Sequence, residues 1–337
     1  MKILYIRPYE NESEMVQAAL AECDLIIAAC VQDVDEATRA TIDVLSVFVD
    51  YEVTSDMLDL LPHIQCIATR SAGFDHIDMA QAHARGICVT RVPHYGTRTV
   101  AEYAFALMFA LSRNAYRSYI DMQKNVGISD YSAYQGFDLY GKTLGVIGTG
   151  MIGKSVCEIA KGIGMKVVAF DAFPDEALAT KHSIRYTSLD DVLVQSDIVT
   201  VHVPSMPETY HMINEQKLNL MKRGAYLINT ARGEVIDTPA LVHALRTGRL
   251  AGAGLDVLEG EHQLREEVDL LAQPDKELGE LWHTLVADHA LIDMPQVIVT
   301  PHIAFNTIEA KREITEVTIA NIKKFMVGTP QNIVQYE

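Results

Sequence analysis

The stretch from residue 143 to residue 171 constrains the fold of this chain more than any other. It begins with a short apolar run at 143–147, which predicts a buried strand, and a helical pattern starts at Met151. A second apolar strand is predicted at 166–170, and Asp171 stands at its carboxyl end. The turn after the first strand contains three glycines in the spacing G-x-G-x-x-G: Gly148, Gly150 and Gly153. This order of elements predicts the start of a dinucleotide-binding domain.

Each part of the stretch has a physical role in holding a dinucleotide. Gly148 permits a tight turn, Gly150 lets the backbone approach a pyrophosphate, and Gly153 lets the helix pack closely on the strand. The helix N-terminus offers free N–H groups and the positive end of its dipole to the phosphates. The Asp171 carboxylate can accept hydrogen bonds from both ribose hydroxyls and would repel a 2′-phosphate, and residues 173–176 supply no cation. These features favour NAD over NADP as the cofactor.

Length and charge limit the classes of protein to which the chain can belong. At 337 residues it is too long for one ordinary core, so two domains of roughly 100–200 residues are expected. The formal charge of −17 argues against nucleic acid and anionic membrane surfaces as partners, because phosphate contacts need clustered Lys and Arg. A small anionic substrate is still compatible with this charge, since a local site can bind it.

The cysteines and the N-terminus predict a cytoplasmic protein. The five cysteines show neither a C-x-x-C motif nor a metal-ligand spacing, so no metal site is expected. Their odd number and apolar neighbours indicate buried thiols in a reducing compartment. The first apolar run is too short for a signal peptide, and no stretch approaches the ~18 apolar residues that would span a bilayer.

The first hundred residues alternate between predicted strands and predicted helices. Strands are expected at 2–6, 25–29, 44–49, 64–69 and 87–91. Helices are expected at 12–22, at 55–60 with Ser55 as the cap, and at 77–85. Repeated βα units of this kind imply a parallel sheet covered on both faces. Since the dinucleotide stretch lies beyond them, they are predicted to form a separate α/β unit.

Residues 100–140 join this unit to the dinucleotide stretch. Residues 100–111 are apolar on nearly every face of a helix, which predicts burial all round and places part of the helix in a subunit interface. Residues 114–140 are irregular in pattern and rich in aromatic side chains, which we interpret as packing.

In the second half of the chain, polar residues follow successive predicted strands. Strands are expected at 198–203, 225–229, 252–258 and 297–300, and helices at 239–245, 281–290 and 308–326. Ligands of open parallel sheets bind outside the carboxyl ends of the strands. Three residues at those ends can carry chemistry: Arg232, Glu261 and His302.

These three residue types suit the interconversion of a 2-hydroxy acid and a 2-oxo acid. Arginine binds a carboxylate through two parallel hydrogen bonds, and histidine exchanges protons near neutral pH. A carboxylate beside the histidine keeps it protonated and fixes its orientation. Each residue also has an ordinary interpretation, as a surface cation, a solvated acid and a hydrogen-bonded core histidine respectively.

Along essentially its whole length the sequence resembles the D-isomer-specific 2-hydroxyacid dehydrogenase family. Within that family it looks most like the D-lactate dehydrogenase branch, because of Glu259-Gly260-Glu261, His211-Met212-Ile213-Asn214 and Ala304-Phe305. The matching segments come in the family's order: Thr69-Arg70-Ser71-Ala72-Gly73-Phe74-Asp75, Val92-Pro93-His94-Tyr95-Gly96, Thr99-Val100-Ala101-Glu102, Gly141-Lys142-Thr143, His202-Val203-Pro204, Asn229-Thr230-Ala231-Arg232-Gly233, Leu255-Asp256-Val257 and Thr300-Pro301-His302-Ile303.

The resemblance implies a role for each matching residue. Arg232 would bind the substrate carboxylate, His302 would exchange a proton with the substrate oxygen, and Glu261, chosen over Glu259, would support the histidine. Residues that would contact the pyrophosphate and ribose are Gly148, Gly150, Met151, Ile152, Gly153 and Asp171. Residues that would line the nicotinamide half are Val203, Pro204, Thr230, Ala231, Arg232 and Asp256. Residues that would bind the substrate are Ala72, Gly73, Tyr95, Arg232 and Phe305.

The resemblance also implies an architecture of two Rossmann- or flavodoxin-like parallel-sheet domains separated by an active-site cleft. A discontinuous substrate domain would comprise residues 1–98 and 300–337, with an inserted NAD-binding domain at 99–299, and a homodimer would form through the latter. Two features depart from the family pattern. Arg98 is either a second anion contact or a solvated charge, and the long acidic segment 262–296 has no assigned role.

The sequence therefore predicts an NAD-dependent D-2-hydroxyacid dehydrogenase, with pyruvate and D-lactate as the first choice of substrates. A hydroxypyruvate or glyoxylate reductase shares every catalytic residue and is the alternative. Formate dehydrogenase chemistry is disfavoured because it would leave the histidine–glutamate pair without a task. An NADH-sensing binding protein without turnover is a remote alternative that rests on fold analogy alone.

Overall fold

The computed structural model describes residues 1–9, 12–124, 131–261, 264 and 278–335. Contacts between Cα atoms divide the chain into two compact units. Unit 1 comprises Met1–Gly96 and Asn306–Glu337, and unit 2 comprises Thr97–Phe305. The chain therefore leaves unit 1 after residue 96 and returns to it at residue 306, where the sequence analysis placed the boundaries at 98/99 and 299/300.

The described residues contain twelve strands and thirteen α-helices. The strands are β1 Lys2–Ile6, β2 Asp24–Ala28, β3 Val44–Val47, β4 Cys66–Thr69, β5 Cys88–Thr90, β6 Thr143–Ile147, β7 Lys166–Phe170, β8 Arg185–Tyr186, β9 Ile198–Val201, β10 Ala225–Asn229, β11 Leu250–Leu255 and β12 Val297–Val299. The helices are α1 Glu12–Ala19, α2 Glu36–Arg39, α3 Ser55–Asp59, α4 Met79–Ala84, α5 Thr97–Ser112, α6 Ala115–Gln123, α7 Met151–Gly162, α8 Glu176–His182, α9 Leu189–Gln195, α10 Glu215–Leu220, α11 Thr238–Arg246, α12 Leu278–Asp293 and α13 Ile308–Met326.

Unit 1 is built on a five-stranded parallel sheet in the order β2-β1-β3-β4-β5. Strands β3 and β4 are buried along their whole length, which is expected of a parallel sheet covered on both faces. Helix α13 covers one face of this sheet, where its Ile319 and Ile322 pack with Ile3 and Tyr5 of β1. The chain end then pairs with β5, because the Val334 N–H donates to the Val89 carbonyl at 2.8 Å.

Unit 2 is built on a seven-stranded parallel sheet in the order β12-β11-β10-β9-β6-β7-β8. The strand order reverses between β6 and β9, which is the switch point at which Rossmann folds bind dinucleotides. Apolar clusters cover both faces of the sheet, one with α9, α10 and α11 and the other with α5 and α7. Both units are thus parallel-sheet α/β domains, and the predicted fold class is confirmed.

Several predicted elements have different bounds or environments in the structure. The cap of α3 is Thr54, whose hydroxyl accepts from the Met57 N–H at 3.3 Å, because Ser55 is already the first helical residue. Residues 115–123 form helix α6, so the prediction of an irregular segment was wrong there. Helix α5 is buried within the chain except on the side that carries Phe109, which is 46% exposed; the prediction that part of this helix lies in a subunit interface stays a prediction. Helices α2, α8, α9 and α10 and strand β8 had not been predicted.

Most of the aromatic side chains of residues 114–140 are exposed in the single chain, whereas the sequence was interpreted as packing. Phe137 packs on Tyr226 at a ring-centroid distance of 5.1 Å, and the Tyr134 hydroxyl donates to Asp121. The other four tyrosines expose half or more of their surface: Tyr116, Tyr119, Tyr131 and Tyr140. Within the described residues, no helix is both long enough and apolar enough to cross a membrane.

Candidate active site

The three glycines after β6 perform three different tasks. Gly148 has φ +87°, and a Cβ there would lie 2.6 Å from the His202 carbonyl oxygen, so only glycine fits this turn. A Cβ on Gly153 would lie 2.0 Å from the Gly148 carbonyl oxygen, because α7 packs directly on the strand. A Cβ on Gly150 would meet nothing within 4 Å. The space beside Gly150 is therefore not filled by the chain, and a ligand could approach the backbone there.

The first turn of α7 presents its N–H groups at this space. Gly150 is the N-cap and provides no side-chain hydrogen bond, so the helix start is open to an anion. Met151 and Ile152 are the first two residues of the helix, where the positive end of the dipole lies. The donor set at this terminus consists of backbone N–H groups, as a pyrophosphate requires.

Asp171 follows β7 and is tied to the glycine turn. Its Oδ2 accepts from the Thr149 N–H at 2.6 Å and from the Thr149 hydroxyl at 2.9 Å, while Oδ1 accepts from the Phe173 N–H at 2.8 Å. The side chain is only partly buried, and a carboxylate has about four acceptor positions. Asp171 can therefore still accept ribose hydroxyls. A nearby cation, Lys154, is paired with Asp175 at 2.6 Å.

Two buried polar atoms without partners among the described residues follow β9 and β10, on one side of the switch point. Within the described residues, His202 Nδ1 after β9 and Thr230 Oγ1 after β10 have no hydrogen-bond partner. Burial lowers the pKa of His202 to about 3, so its ring is neutral. Val203 and Pro204 continue from His202, and Ala231 and Arg232 continue from Thr230. Unsatisfied donors and acceptors at this place fit a bound dinucleotide.

His302 and Glu261 form a hydrogen-bonded pair, although they are distant in sequence. His302 Nδ1 lies 3.2 Å from Oε1 and 3.1 Å from Oε2 of Glu261. Both side chains are about a quarter exposed or less, so the pair is partly shielded and still accessible. Because Glu261 occupies Nδ1, the other ring nitrogen, Nε2, is the atom that can exchange a proton with a ligand.

Asp256 holds the segment that carries His302. Its buried Oδ1 accepts from the Thr300 hydroxyl at 2.6 Å and from the Ile303 N–H at 3.0 Å, and Oδ2 accepts from the Ala304 N–H at 2.7 Å. The N–H of His302 donates to the Asp256 carbonyl at 2.8 Å. Burial raises the pKa of the Asp256 carboxyl, against these hydrogen bonds. Asp256, which the sequence analysis placed beside the nicotinamide, thus binds the His302 segment through both of its oxygens.

The loop that carries Arg232 packs against the loop that carries Glu261. The Asn229 side chain closes the first loop, donating to the Arg232 carbonyl at 2.8 Å and accepting from the Ala231 N–H at 3.0 Å. A Cβ on Gly233 would lie 2.1 Å from the Leu258 carbonyl carbon, so the two loops touch here. The Arg232 guanidinium donates to the Ala231 carbonyl at 2.8 Å.

Glu259 contacts a different histidine, His211. Its Oε1 lies 2.7 Å from His211 Nε2, and the His211 ring stacks on Tyr210. The two glutamates of the 259–261 turn therefore serve two different histidines. The pattern of the lactate branch selected the one that contacts His302.

The predicted substrate residues of unit 1 lie on two neighbouring loops. The Val92 N–H donates to the Ser71 carbonyl at 2.9 Å, which places the turn after β4 beside the turn after β5. Ala72 and Gly73 lie on the first turn and Tyr95 lies beyond the second; all three are partly buried. Phe305 is the last residue of unit 2. Each unit thus presents its predicted residues at the carboxyl ends of its own strands.

Asp288 is a residue of the site that sequence reasoning missed. It lies on α12, is fully buried, and accepts from the Gly260 N–H at 2.9 Å, within the turn that carries Glu261. The helical pattern of residues 281–290 had been recognised, but no spacing in the sequence links it to this turn. The remainder of the acidic segment, 262–263 and 265–277, lies outside the described residues.

Comparison with known proteins agrees with this geometry. Residues 105–304 match the family model described as the D-isomer specific 2-hydroxyacid dehydrogenase, NAD binding domain. A glycerate dehydrogenase of Methylorubrum extorquens is 38% identical over 83% of this chain and 82% of its own, and a glyoxylate reductase of Korarchaeum cryptofilum is 35% identical over 85% and 80%. The crystal structure of a D-lactate dehydrogenase from Aquifex aeolicus, complexed with NAD and lactic acid, superposes with a TM-score of 0.85 at 37% identity, covering 97% of this chain and 96% of that one.

The family assignment follows from the extent of these matches. The residues predicted for the site all lie within the described parts of the fold. The matched residues include the glycine turn, the Arg232 loop, Glu261 and His302. The chain belongs to the D-isomer-specific 2-hydroxyacid dehydrogenase family and is an NAD-dependent oxidoreductase that acts on CH–OH groups.

Proposed function

We propose that this enzyme interconverts pyruvate and D-lactate. The observation that carries the proposal is the contact of His302 Nδ1 with Glu261 at 3.1 Å, in the unit that also presents Arg232 and the glycine turn. The lactate assignment is supported by the 259–261 turn, in which Glu259 and Glu261 serve separate histidines, and by the similarity to the Aquifex enzyme complexed with lactic acid.

The side chains divide the reaction between them. Arg232 binds the substrate carboxylate through its planar guanidinium and so orients the carbonyl carbon. Bound NADH supplies the hydride that this carbon receives. His302 donates the proton from Nε2 to the carbonyl oxygen, and Glu261 stabilises the charged imidazole before that transfer. In the direction of oxidation His302 accepts the proton from the hydroxyl group. From the family resemblance, we also propose that Ala72 and Gly73 offer backbone N–H groups to the carboxylate and that Tyr95 and Phe305 contact the substrate side chain.

A second candidate is the reduction of glyoxylate or hydroxypyruvate. It is favoured by the similarity to the glyoxylate reductase and the glycerate dehydrogenase, and the same catalytic residues would serve it. A dicarboxylic substrate is disfavoured, because Arg98 lies in α5 with 59% of its side chain exposed and is paired with Glu102 at 2.9 Å. Arg98 is thus a solvated charge, one of the two interpretations that the sequence left open.

The test is NADH oxidation with a panel of 2-oxo acids, compared with NADPH. We expect pyruvate to give the highest kcat/KM and the product to be the D-isomer on a chiral column. Absence of turnover with every 2-oxo acid would contradict the proposal, while a preference for glyoxylate or hydroxypyruvate would select the second candidate. Replacing the proton donor, His302→Ala, should reduce kcat by roughly 10²–10⁴-fold and leave NADH affinity within threefold.

We further infer a cytoplasmic homodimer that assembles through unit 2. The five cysteines are all free, which suits a reducing compartment. Exposed apolar side chains lie on two consecutive helices of unit 2, with Phe109 on α5 and Tyr116, Tyr119 and Met122 on α6. Such a surface is typical of a subunit contact.

A further inference from the structure

A buried carboxyl group lies directly under the turn that presents Glu261. Asp288 on α12 has no exposed surface, and its Oδ2 accepts from the Gly260 N–H at 2.9 Å. Its Oδ1 is also buried and has no hydrogen-bond partner among the described residues. A buried carboxyl with one oxygen unsatisfied requires an explanation, because burial without partners is costly.

The turn fits onto one turn of α12 only because residue 260 is glycine. A Cβ on Gly260 would lie 2.6 Å from Asp288 Oδ2, although its distances to Leu285 and Thr284 would be ordinary contacts of 3.5 Å. The Asp288 carboxyl is therefore the group that excludes a side chain here. The same group fixes the only main-chain N–H between the two glutamates of the turn.

The glutamates on either side of this N–H diverge to different histidines. Glu259 lies 2.7 Å from His211, and Glu261 lies 3.1 Å from His302. A rotation of the peptide at Gly260 would move Glu261 away from His302. The hydrogen bond to Asp288 opposes that rotation.

The charge of Asp288 depends on pH near neutrality. Burial raises the pKa of this carboxyl to about 7; the Gly260 N–H and His289 lower it, and Glu259 and Glu261 raise it further. On α11, which packs against α12, the first residue, Thr238, donates its N–H to Glu259 at 3.4 Å, and the basic side chains His243 and Arg246 lie in the last turn. Asp288 can therefore change its charge near neutral pH.

We propose that Asp288 is a positioning residue for proton transfer: it holds the 259–261 turn so that Glu261 faces His302, and when ionised it adds a negative charge to that pair. This inference rests on the proposed function, which gives Glu261 and His302 their roles. During reduction His302 must carry a proton. A negative charge behind Glu261 stabilises the protonated imidazole, so reduction persists to higher pH.

The experiment compares pH profiles of kcat/KM for reduction of the preferred 2-oxo acid between pH 5.5 and 9. Asp288→Asn keeps an acceptor for the Gly260 N–H but cannot ionise. We expect its activity at pH 6 to stay within about threefold of the wild type and its alkaline limb to move down by about half a pH unit. Asp288→Ala removes the acceptor, so kcat should fall by about tenfold at every pH with NADH affinity unchanged. Asp293→Asn, the same change at an exposed position of α12, should give the wild-type profile.

The outcomes separate this inference from the proposed function. A wild-type enzyme that turns over no 2-oxo acid contradicts the proposed function and, with it, the role of Asp288. An active wild type whose profile coincides with that of Asp288→Asn contradicts the ionisation of Asp288 alone. Wild-type kcat in Asp288→Ala contradicts the positioning role. If the alanine variant does not fold, the asparagine variant decides, because a purely structural role would lower its stability without moving its pH profile.

Discussion

The backbone of His302 lies in the left-handed region, with φ +54°. For a residue other than glycine this conformation costs on the order of 1–3 kcal/mol, and it persists only where neighbouring groups hold it. The His302 N–H donates to the carbonyl oxygens of Asp256 and Thr300. The Asp256 carboxylate accepts from the N–H groups of the two residues that follow His302. The orientation of His302, the proposed proton donor, therefore depends on Asp256.

Asp256→Asn tests this dependence. An asparagine has one carbonyl oxygen where the carboxylate uses two, so at least one of the N–H groups of Ile303 and Ala304 loses its acceptor. We expect kcat to fall by about tenfold while the Kd for NADH, measured by fluorescence titration, stays within threefold. If NADH affinity fell as much as kcat, Asp256 would instead contact the cofactor, as the sequence analysis had it.

The two glutamates of the 259–261 turn can be compared by the same substitution. Glu261→Gln removes the charge that stabilises protonated His302, so the kcat of reduction should fall by roughly 10²-fold and its alkaline limb should move to lower pH. Glu259→Gln removes a charge that faces His211, and its effect on kcat should stay below about fivefold. Steady-state kinetics across pH check both values. A larger loss in Glu259→Gln would contradict the assignment of the acid.

At the residue scale, the sequence predicted residues that follow strands and failed for those that approach from elsewhere. Arg232, Glu261 and His302 were proposed because the carboxyl ends of parallel strands meet along one edge, and the structure brings Glu261 and His302 into contact. Asp288 lies in the middle of a helix, and the sequence of a helix does not show whether an Asp at such a position is buried or partly exposed. Its burial depends on how α12 packs under the 259–261 turn, and local patterns do not contain that information.

At the scale of elements, two glycines of the turn after β6 have different roles: Gly153 is needed for folding and Gly150 is proposed for cofactor binding. Gly153→Ala would place a methyl group 2.0 Å from a carbonyl oxygen, whereas Gly150→Ala would place one in open space at a φ of −60°. We expect Gly153→Ala to cost on the order of 1–3 kcal/mol of unfolding free energy or more. Gly150→Ala should keep the melting temperature of the ligand-free protein within about 2 °C and weaken NADH binding at least tenfold.

Thermal denaturation and fluorescence titration of the two glycine variants give both quantities. Wild-type NADH affinity in Gly150→Ala would contradict the assignment of this space to the pyrophosphate. A stable Gly153→Ala protein would mean that α7 can shift along the strand.

The bounds of elements whose apolar residues recur at a regular spacing were predicted well. Caps and environments that depend on tertiary contacts were not. Helix α13 has the predicted bounds, because Thr307 caps it and its apolar residues recur at helical spacing. For α3, the neighbours Thr54 and Ser55 are both good caps, and only the hydrogen bond from Met57 distinguishes them. Residues 100–111 of α5 are apolar on nearly every face, so the sequence could not show which side, that of Phe109, is exposed in the single chain.

At the scale of the whole molecule, the exposed apolar side chains of α5 and α6 bear on assembly. Introducing charge there, as in Phe109→Glu combined with Tyr119→Glu, should convert a dimer to a monomer at micromolar concentration, as measured by sedimentation velocity. Val327→Glu, at a residue of unit 1 that is 71% exposed, is the matched control and should leave the sedimentation coefficient unchanged. A monomeric wild type would contradict the proposed homodimer.

The return of the chain to unit 1 after residue 306 also determines the order in which the enzyme can fold during synthesis. The face of the unit 1 sheet that α13 covers, with Ile3, Tyr5, Val44 and Ala68, leaves the ribosome long before that helix is made. All of unit 2 is synthesised in between, so the inserted unit is complete before unit 1 is. Domains fold as units as the chain emerges, and exposed apolar faces aggregate in the meantime. We therefore expect the nascent chain to be most prone to aggregation between the appearance of β5 and that of α13.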